Sequence, residues 1–149
     1  GFNPELVLAG RRKNDGMATY SAELFIHKLI KRNTNINKTK ILILGLTFKE
    51  NCPDMRNSKI LDLYKKISEV FPNIDVHDPL ADSSLVRLTY GNSLVQEPNE
   101  GDYDGVILAV PHTEYLNAGA DYFKKLCRKP GIFFDLKSAF PSSSSDLRL

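Results

Sequence analysis

The chain has 149 residues, with 20 Lys and Arg against 18 Asp and Glu and a formal net charge of +2. Charge so near balance lacks the basic excess of a nucleic-acid module, and the length suits one α/β domain with an extension. No apolar run approaches the ~20 residues of a membrane span, and the opening GFNPELVLAG lacks the charged n-region and apolar h-region of a secretory signal. Cys52 and Cys127 lie far apart without metal-ligand spacing and suggest no disulfide framework, so a reducing cytoplasm is the expected location. The first residue is Gly1 and not an initiator Met, as expected of a domain cut from a longer protein.

In chain order, residues 1–14 read as an Asn-Pro turn feeding a helix. From about Asp15 to Arg32, Met17, Tyr20, Leu24, Phe25, Leu29 and Ile30 recur near helical spacing, with Asp15 at the start and Lys28, Lys31 and Arg32 at the end, where the helix dipole favours them. Because this helix precedes the first strand, its apolar stripe covers either another domain or subunit, or equally its own sheet. Ile41–Leu44 is a continuous branched apolar run, the pattern of a central strand buried on both faces of a parallel sheet. A polar loop then leads to a helix starting near Asn57 or Ser58 and ending before Phe71, and Ile74–Asp78 gives a second strand, completing a βαβ unit. Residues 80–103 suggest a short helix over about 81–88, an edge strand at Leu94–Val95 and a turn at Pro98–Gly101. Asp104–Val110 is another buried strand, Tyr115–Leu126 a helix, Lys129–Gly131 a turn, and Ile132–Leu136 the last strand. The pattern predicts an α/β fold with a doubly wound parallel sheet. The Ser-rich stretch from Pro141 is expected to be mobile.

Ligands of open α/β sheets sit outside the carboxyl ends of the strands, so the loop over residues 45–57 is the expected site. In a dinucleotide fingerprint G-x-G-x-x-G would occupy this turn, but Gly45 is followed by Leu46, Thr47 and Phe48 with no further glycine. The loop offers cations instead: Lys49 as a point charge and Arg56 as a planar fork suited to phosphate or carboxylate. A solvated surface loop accounts for the pair equally well. Lys137, after the last strand, is expected at the same sheet edge. Asp78 ends the second strand, where ribose is often held, although a strand end and turn explain it as well, and His112 reads as a capping or surface residue. Cys52 has no accompanying base and Cys127 falls in an apolar pattern, so neither reads as a nucleophile.

Gly45, Phe48, Lys49, Asp54, Arg56 and Ser58 form G-x-x-F-K-x-x-x-x-D-x-R-x-S. This pattern closely resembles the signature that opens the C-terminal domain of the UDP-glucose/GDP-mannose dehydrogenase family. VHDP at 76–79, FFDLK at 133–137 and PELVLAGRRKNDGMATY at 4–20 resemble further family segments, the last in the form seen in members that oxidise UDP-N-acetylhexosamines. The resemblance spans residues 3–140 and implies a Rossmann-like doubly wound sheet preceded by a long central dimerisation helix. It divides the chain into a linker helix over 1–36, a UDP-sugar-binding domain over 37–140 and a flexible tail over 141–149. It further implies that Phe48 and Lys49 contact the UDP-sugar, that Arg56 reaches NAD held mainly by an N-terminal domain, and that Lys137 stands in for a substrate-binding Arg. Partners implied are the UDP-sugar and a second copy, with neither nucleic acid nor membrane. The family's catalytic Cys lies in a Gly-Gly-x-Cys-x-Pro context that neither Cys52 nor Cys127 shares, so this polypeptide alone is not expected to turn over. The alternatives are a UDP-glucose or GDP-mannose dehydrogenase fragment and a non-catalytic nucleotide-binding or dimerisation module.

Overall fold

The computed structural model describes the backbone of residues 4–32 and 35–149, and the side chains of 16–32 and 35–149. Five parallel strands, β1 (Lys40–Leu44), β2 (Asn73–His77), β3 (Tyr103–Leu108), β4 (Cys127–Asp135) and β5 (Leu147–Arg148), form one sheet in the order β2-β1-β3-β4-β5. The branched run at residues 41–44 is buried on both sides of the central strand: Ile41 and Ile43 join one apolar layer, Leu42 and Leu44 the other. The first layer lies under α1 (Pro4–Arg32), α2 (Ile60–Ser68) and α3 (Ser83–Tyr90), and the second under α4 (Thr113–Ala118) and α5 (Ala120–Leu126). The doubly wound parallel sheet expected from the sequence is therefore present.

The first helix is longer than its apolar spacing suggests, starting at Pro4 and not near Asp15. Proline is accepted in a first turn, where its missing N–H has no intrahelical partner to lose, so the Asn-Pro dipeptide marks a helix start and not a turn. Residues 1–3 of the expected turn lie outside the described residues. The C-terminal half of α1 covers its own sheet: Ala22, Phe25 and Leu29 are buried, and Phe25 stacks on Phe134 at 6.1 Å between ring centroids. Gly105 on β3 permits this approach, since a Cβ there would lie 2.4 Å from Phe25 Cζ. On other positions of the same helix, Met17, Tyr20 and Ile30 remain exposed.

Four further expectations are corrected. Helix α2 begins at Ile60, after Asn57 takes a left-handed φ of 59° that breaks helical propagation, and the Ser58 hydroxyl accepts the Ile60 N–H at 3.3 Å. The helix expected over 115–126 is two helices separated at Gly119. Residues 129–131 are not a turn before the last strand but part of β4, beside a register irregularity between Tyr103 and Gly105. The Ser-rich tail, expected to be mobile, forms a 3-10 turn at Ser142–Ser144 and adds β5 to the sheet. Its anchor is Asp146, whose carboxylate accepts the Phe133 N–H at 2.9 Å while its own N–H donates to Phe133 O at 3.0 Å.

Candidate functional site

Strand order reverses between β1 and β3, and the loop over residues 45–57 lies at the carboxyl end of that crevice. Gly45 packs directly on the neighbouring chain segment: its φ is +94°, and a Cβ would fall 2.5 Å from Val110 N and 2.6 Å from Val110 O. The second fingerprint position, where a glycine lets the backbone approach pyrophosphate, is held instead by the buried Thr47, and α2 starts fifteen positions later behind Lys59. The loop residues do not fit a dinucleotide as this domain's own ligand.

The loop closes on itself. Phe48 N–H donates to Asp54 O at 2.7 Å, Cys52 N–H to Lys49 O at 3.3 Å, and the Thr47 hydroxyl to Lys49 O at 3.2 Å. Besides Gly45, Asn51 and Asn57 take left-handed positions in the loop, which asparagine tolerates better than other residues with a Cβ. The bracing leaves Phe48 54% exposed, with Lys49 exposed beside it. Arg56 is exposed and held by Asp54, its Nη2 lying 2.9 Å and its Nε 3.0 Å from the two carboxylate oxygens. The hydrogen bonds from the Arg56 side chain and backbone hold the Asp54 carboxyl well below the usual range, at about 2.

Lys137 is exposed at the end of β4, as expected, and lines a cleft of about 240 Å³ with Met17, Ser21, Lys59 and Ile60. The structure thus groups Phe48, Lys49 and Arg56 on one loop, whereas Lys137 joins the start of α2 and the flank of α1.

Two residues carry more than their sequence-based roles: Asp78 follows β2 and bonds the turn after it, and His112 stands at the N-cap of α4, as read from the sequence, but both are buried and paired with each other. Asp78 is not turned out toward a ribose: it is buried, and its carboxylate accepts Leu46 N–H at 2.6 Å, Leu80 N–H at 2.8 Å and Ala81 N–H at 3.1 Å. The His112 side chain makes no cap hydrogen bond and is not at the surface; the residue is 1% exposed, with Nε2 2.9 Å from Asp78 Oδ2 and Nδ1 accepting Asn51 N–H at 2.9 Å. The sequence carried one signal for this role, the position of Pro-His directly beyond a buried strand at the ligand edge. Next to it, the Tyr115 hydroxyl donates to His77 O at 3.1 Å and lies 2.6 Å from His77 Nδ1. Among the described residues no group of three or more His, Cys, Asp or Glu could hold a metal ion. Cys127 is an inert thiol, pushed up to about 12 chiefly by burial.

These groups give the site a pH signature. Burial lowers His77 against the pull of Asp78, so its stabilising neutral form is lost as pH falls from about 6.5 through its depressed value. Burial pushes Asp78 up, but the hydrogen bonds from His112, Leu46 and Leu80 outweigh it, so its contribution is present above about 3.8 and lost below. Melting temperature is expected to fall in two stages on acidification from pH 7.5, the first beginning near 6.5. Substituting His77 by Gln should flatten the first stage only; an unchanged first stage in that variant would contradict the assignment.

A doubly wound parallel sheet with a braced loop at its switch point that exposes Phe48, Lys49 and Arg56, and without the further glycines of a dinucleotide fingerprint, defines a Rossmann-like domain. Residues 42–142 match the UDP-glucose/GDP-mannose dehydrogenase family, UDP binding domain, and the chain belongs to that family. It is 42% identical over all of its 149 residues to UDP-N-acetyl-D-glucosamine 6-dehydrogenase of Pseudomonas aeruginosa and 40% identical to that of Salmonella typhi, covering 35% of each. Protein CapL of Staphylococcus aureus is 39% identical over 95% of the chain and 33% of its own length. The chain therefore spans about one third of these relatives. Among solved structures, a UDP-D-ManNAc dehydrogenase from Pyrococcus horikoshii superposes with a TM-score of 0.76 at 23% identity, over 95% of this chain and 32% of that one, which shows the shared fold.

Proposed function

We propose that the chain is the UDP-binding part of an NAD-dependent nucleotide-sugar 6-dehydrogenase. Its substrate is UDP-N-acetyl-D-glucosamine or UDP-N-acetyl-D-galactosamine, oxidised to the uronic acid for surface polysaccharide in the cytoplasm. The observation that carries this reading is the presentation of Phe48 and Lys49 side by side on a loop whose backbone is already tied down. An exposed aromatic face next to a free-reaching ammonium suits the nucleoside and diphosphate of one ligand, and a loop braced before binding loses little entropy on binding. The domain's part in the chemistry is positioning: it fixes the sugar relative to reactive groups held elsewhere in the parent protein. Arg56 faces NAD held by the N-terminal domain, and Lys137 contacts the substrate from the cleft beside α1. The exposed Met17, Tyr20 and Ile30 on α1 support homodimerisation through that helix. Among the described residues no helix is long and apolar enough to cross a membrane.

Lys49→Ala is expected to weaken UDP binding roughly tenfold to a hundredfold, the range for one charge-assisted contact, without moving the melting temperature. Calorimetric titration of the folded variant tests this; unchanged affinity removes Lys49 from the site.

A further inference from the structure

We propose that His112 is a positioning residue for the nucleotide loop, its imidazole clasping Asn51 on one side and Asp78 and Thr47 on the other so that Lys49 is held between two fixed points. The proposal deepens the assignment of the loop as the UDP site and rests on it. Nδ1 accepts the Asn51 N–H at 2.9 Å, so it carries the lone pair, and the ring proton of the neutral imidazole lies on Nε2. From Nε2 that proton faces Asp78 Oδ2 at 2.9 Å and Thr47 Oγ1 at 3.3 Å. The Thr47 hydroxyl spends its own hydrogen on Lys49 O at 3.2 Å, which leaves its oxygen free to accept from the ring. The clasp is doubled at the tip, where Thr113 N–H donates to Asn51 Oδ1 at 2.8 Å. Asp78 anchors the other end to Leu46 N–H at 2.6 Å. Residues 46, 47 and 51 are thereby tied to strand ends that lie 32 to 65 positions away in sequence. The exposed Lys49 sits between them with its own carbonyl doubly bonded by Thr47 and Cys52. His112 touches no ligand in this arrangement; it acts through the loop.

The two ring nitrogens can be tested separately, because an Asn amide reaches only to the position of Nδ1 and a Gln amide to that of Nε2. His112→Gln keeps a donor toward Asp78 and loses the acceptor for Asn51; His112→Asn does the reverse. Amide hydrogen exchange and UDP titration are measured on wild type and both variants of this chain. In His112→Gln the Asn51 amide should exchange roughly tenfold faster and UDP affinity should fall roughly tenfold, with a melting temperature above that of His112→Asn. In His112→Asn the Asn51 amide stays protected and UDP affinity stays nearer wild type despite the lower melting temperature. A merely structural histidine would make affinity follow melting temperature in both variants, which would overturn the proposal. Unaltered exchange at Asn51 in His112→Gln would overturn the clasp itself, whatever UDP does. A wild-type chain that takes up no UDP would contradict the loop's assignment and with it the role in binding, while the exchange results still decide the clasp.

Discussion

Gly45→Ala is expected to destabilise the chain by about 3 kcal/mol or more and to abolish nucleotide binding with it. Two costs coincide at this position. A residue with a Cβ in the left-handed region loses roughly 1–2 kcal/mol, and overpacking against a filled site adds roughly 1–3 kcal/mol. The obstructing atoms are Val110 N at 2.5 Å and Val110 O at 2.6 Å, both backbone, so no side-chain rearrangement relieves them. Relief requires β1 and the segment after β3 to part at the very crevice on which the loop is built. Gly91→Ala is the control: its φ is +76°, but nothing lies within 4 Å of the added Cβ, so only the conformational cost remains. Urea unfolding of the two variants separates the terms; equal losses would show that the contact with Val110 matters little.

Asp78→Ala should cost about 2–4 kcal/mol, from one fully buried donor left without an acceptor and a second left with a longer contact only, an unsatisfied buried donor costing roughly 1–3 kcal/mol. The first is Leu46 N–H and the second His112 Nε2, which keeps Thr47 Oγ1 at 3.3 Å; Leu80 and Ala81 lie where water can replace the lost oxygen. Asp78→Asn retains the shape but has one oxygen where the carboxylate had two, so it should cost about half as much. Both variants should also loosen residues 46–51, because Asp78 orders the loop through Leu46 and through His112. A stable Asp78→Ala protein with unaltered UDP affinity would show that the loop holds its shape without the anchor.

The sheet was legible because its strands are local facts of composition. Ile41–Leu44 and Val106–Leu108 are buried apolar runs, Ile74 and Val76 alternate with polar residues as on a sheet edge, and helical spacing between them points to a parallel doubly wound sheet. The loop and its cations were legible for the same reason, since Gly45, Lys49 and Arg56 lie within one short stretch at a strand end. What escaped depended on contacts between distant segments. Leu147–Arg148 is too short to announce a strand and exists as one because Asp146 bonds Phe133. The start of α1 escaped because Asn-Pro is as good a turn as a helix start until the following residues are seen to propagate. The burial and pairing of Asp78 and His112 escaped because a polar residue at a strand end is ordinarily solvated, and only the fold turns these two toward each other. Lys137 was placed at the right edge, but the side on which it lies is decided by α1 packing across the sheet.

The central claim is that this domain recognises the UDP moiety and leaves the dinucleotide to another part of the parent protein. Calorimetric titration of the chain with UDP, and separately with NAD, tests it most directly. Saturable UDP binding that is weakened by Lys49→Ala, together with no heat from NAD, is the predicted result. NAD binding in the absence of UDP binding would contradict the account, because it would require a pyrophosphate site on a loop that carries the buried Thr47 where the dinucleotide fingerprint has its second glycine.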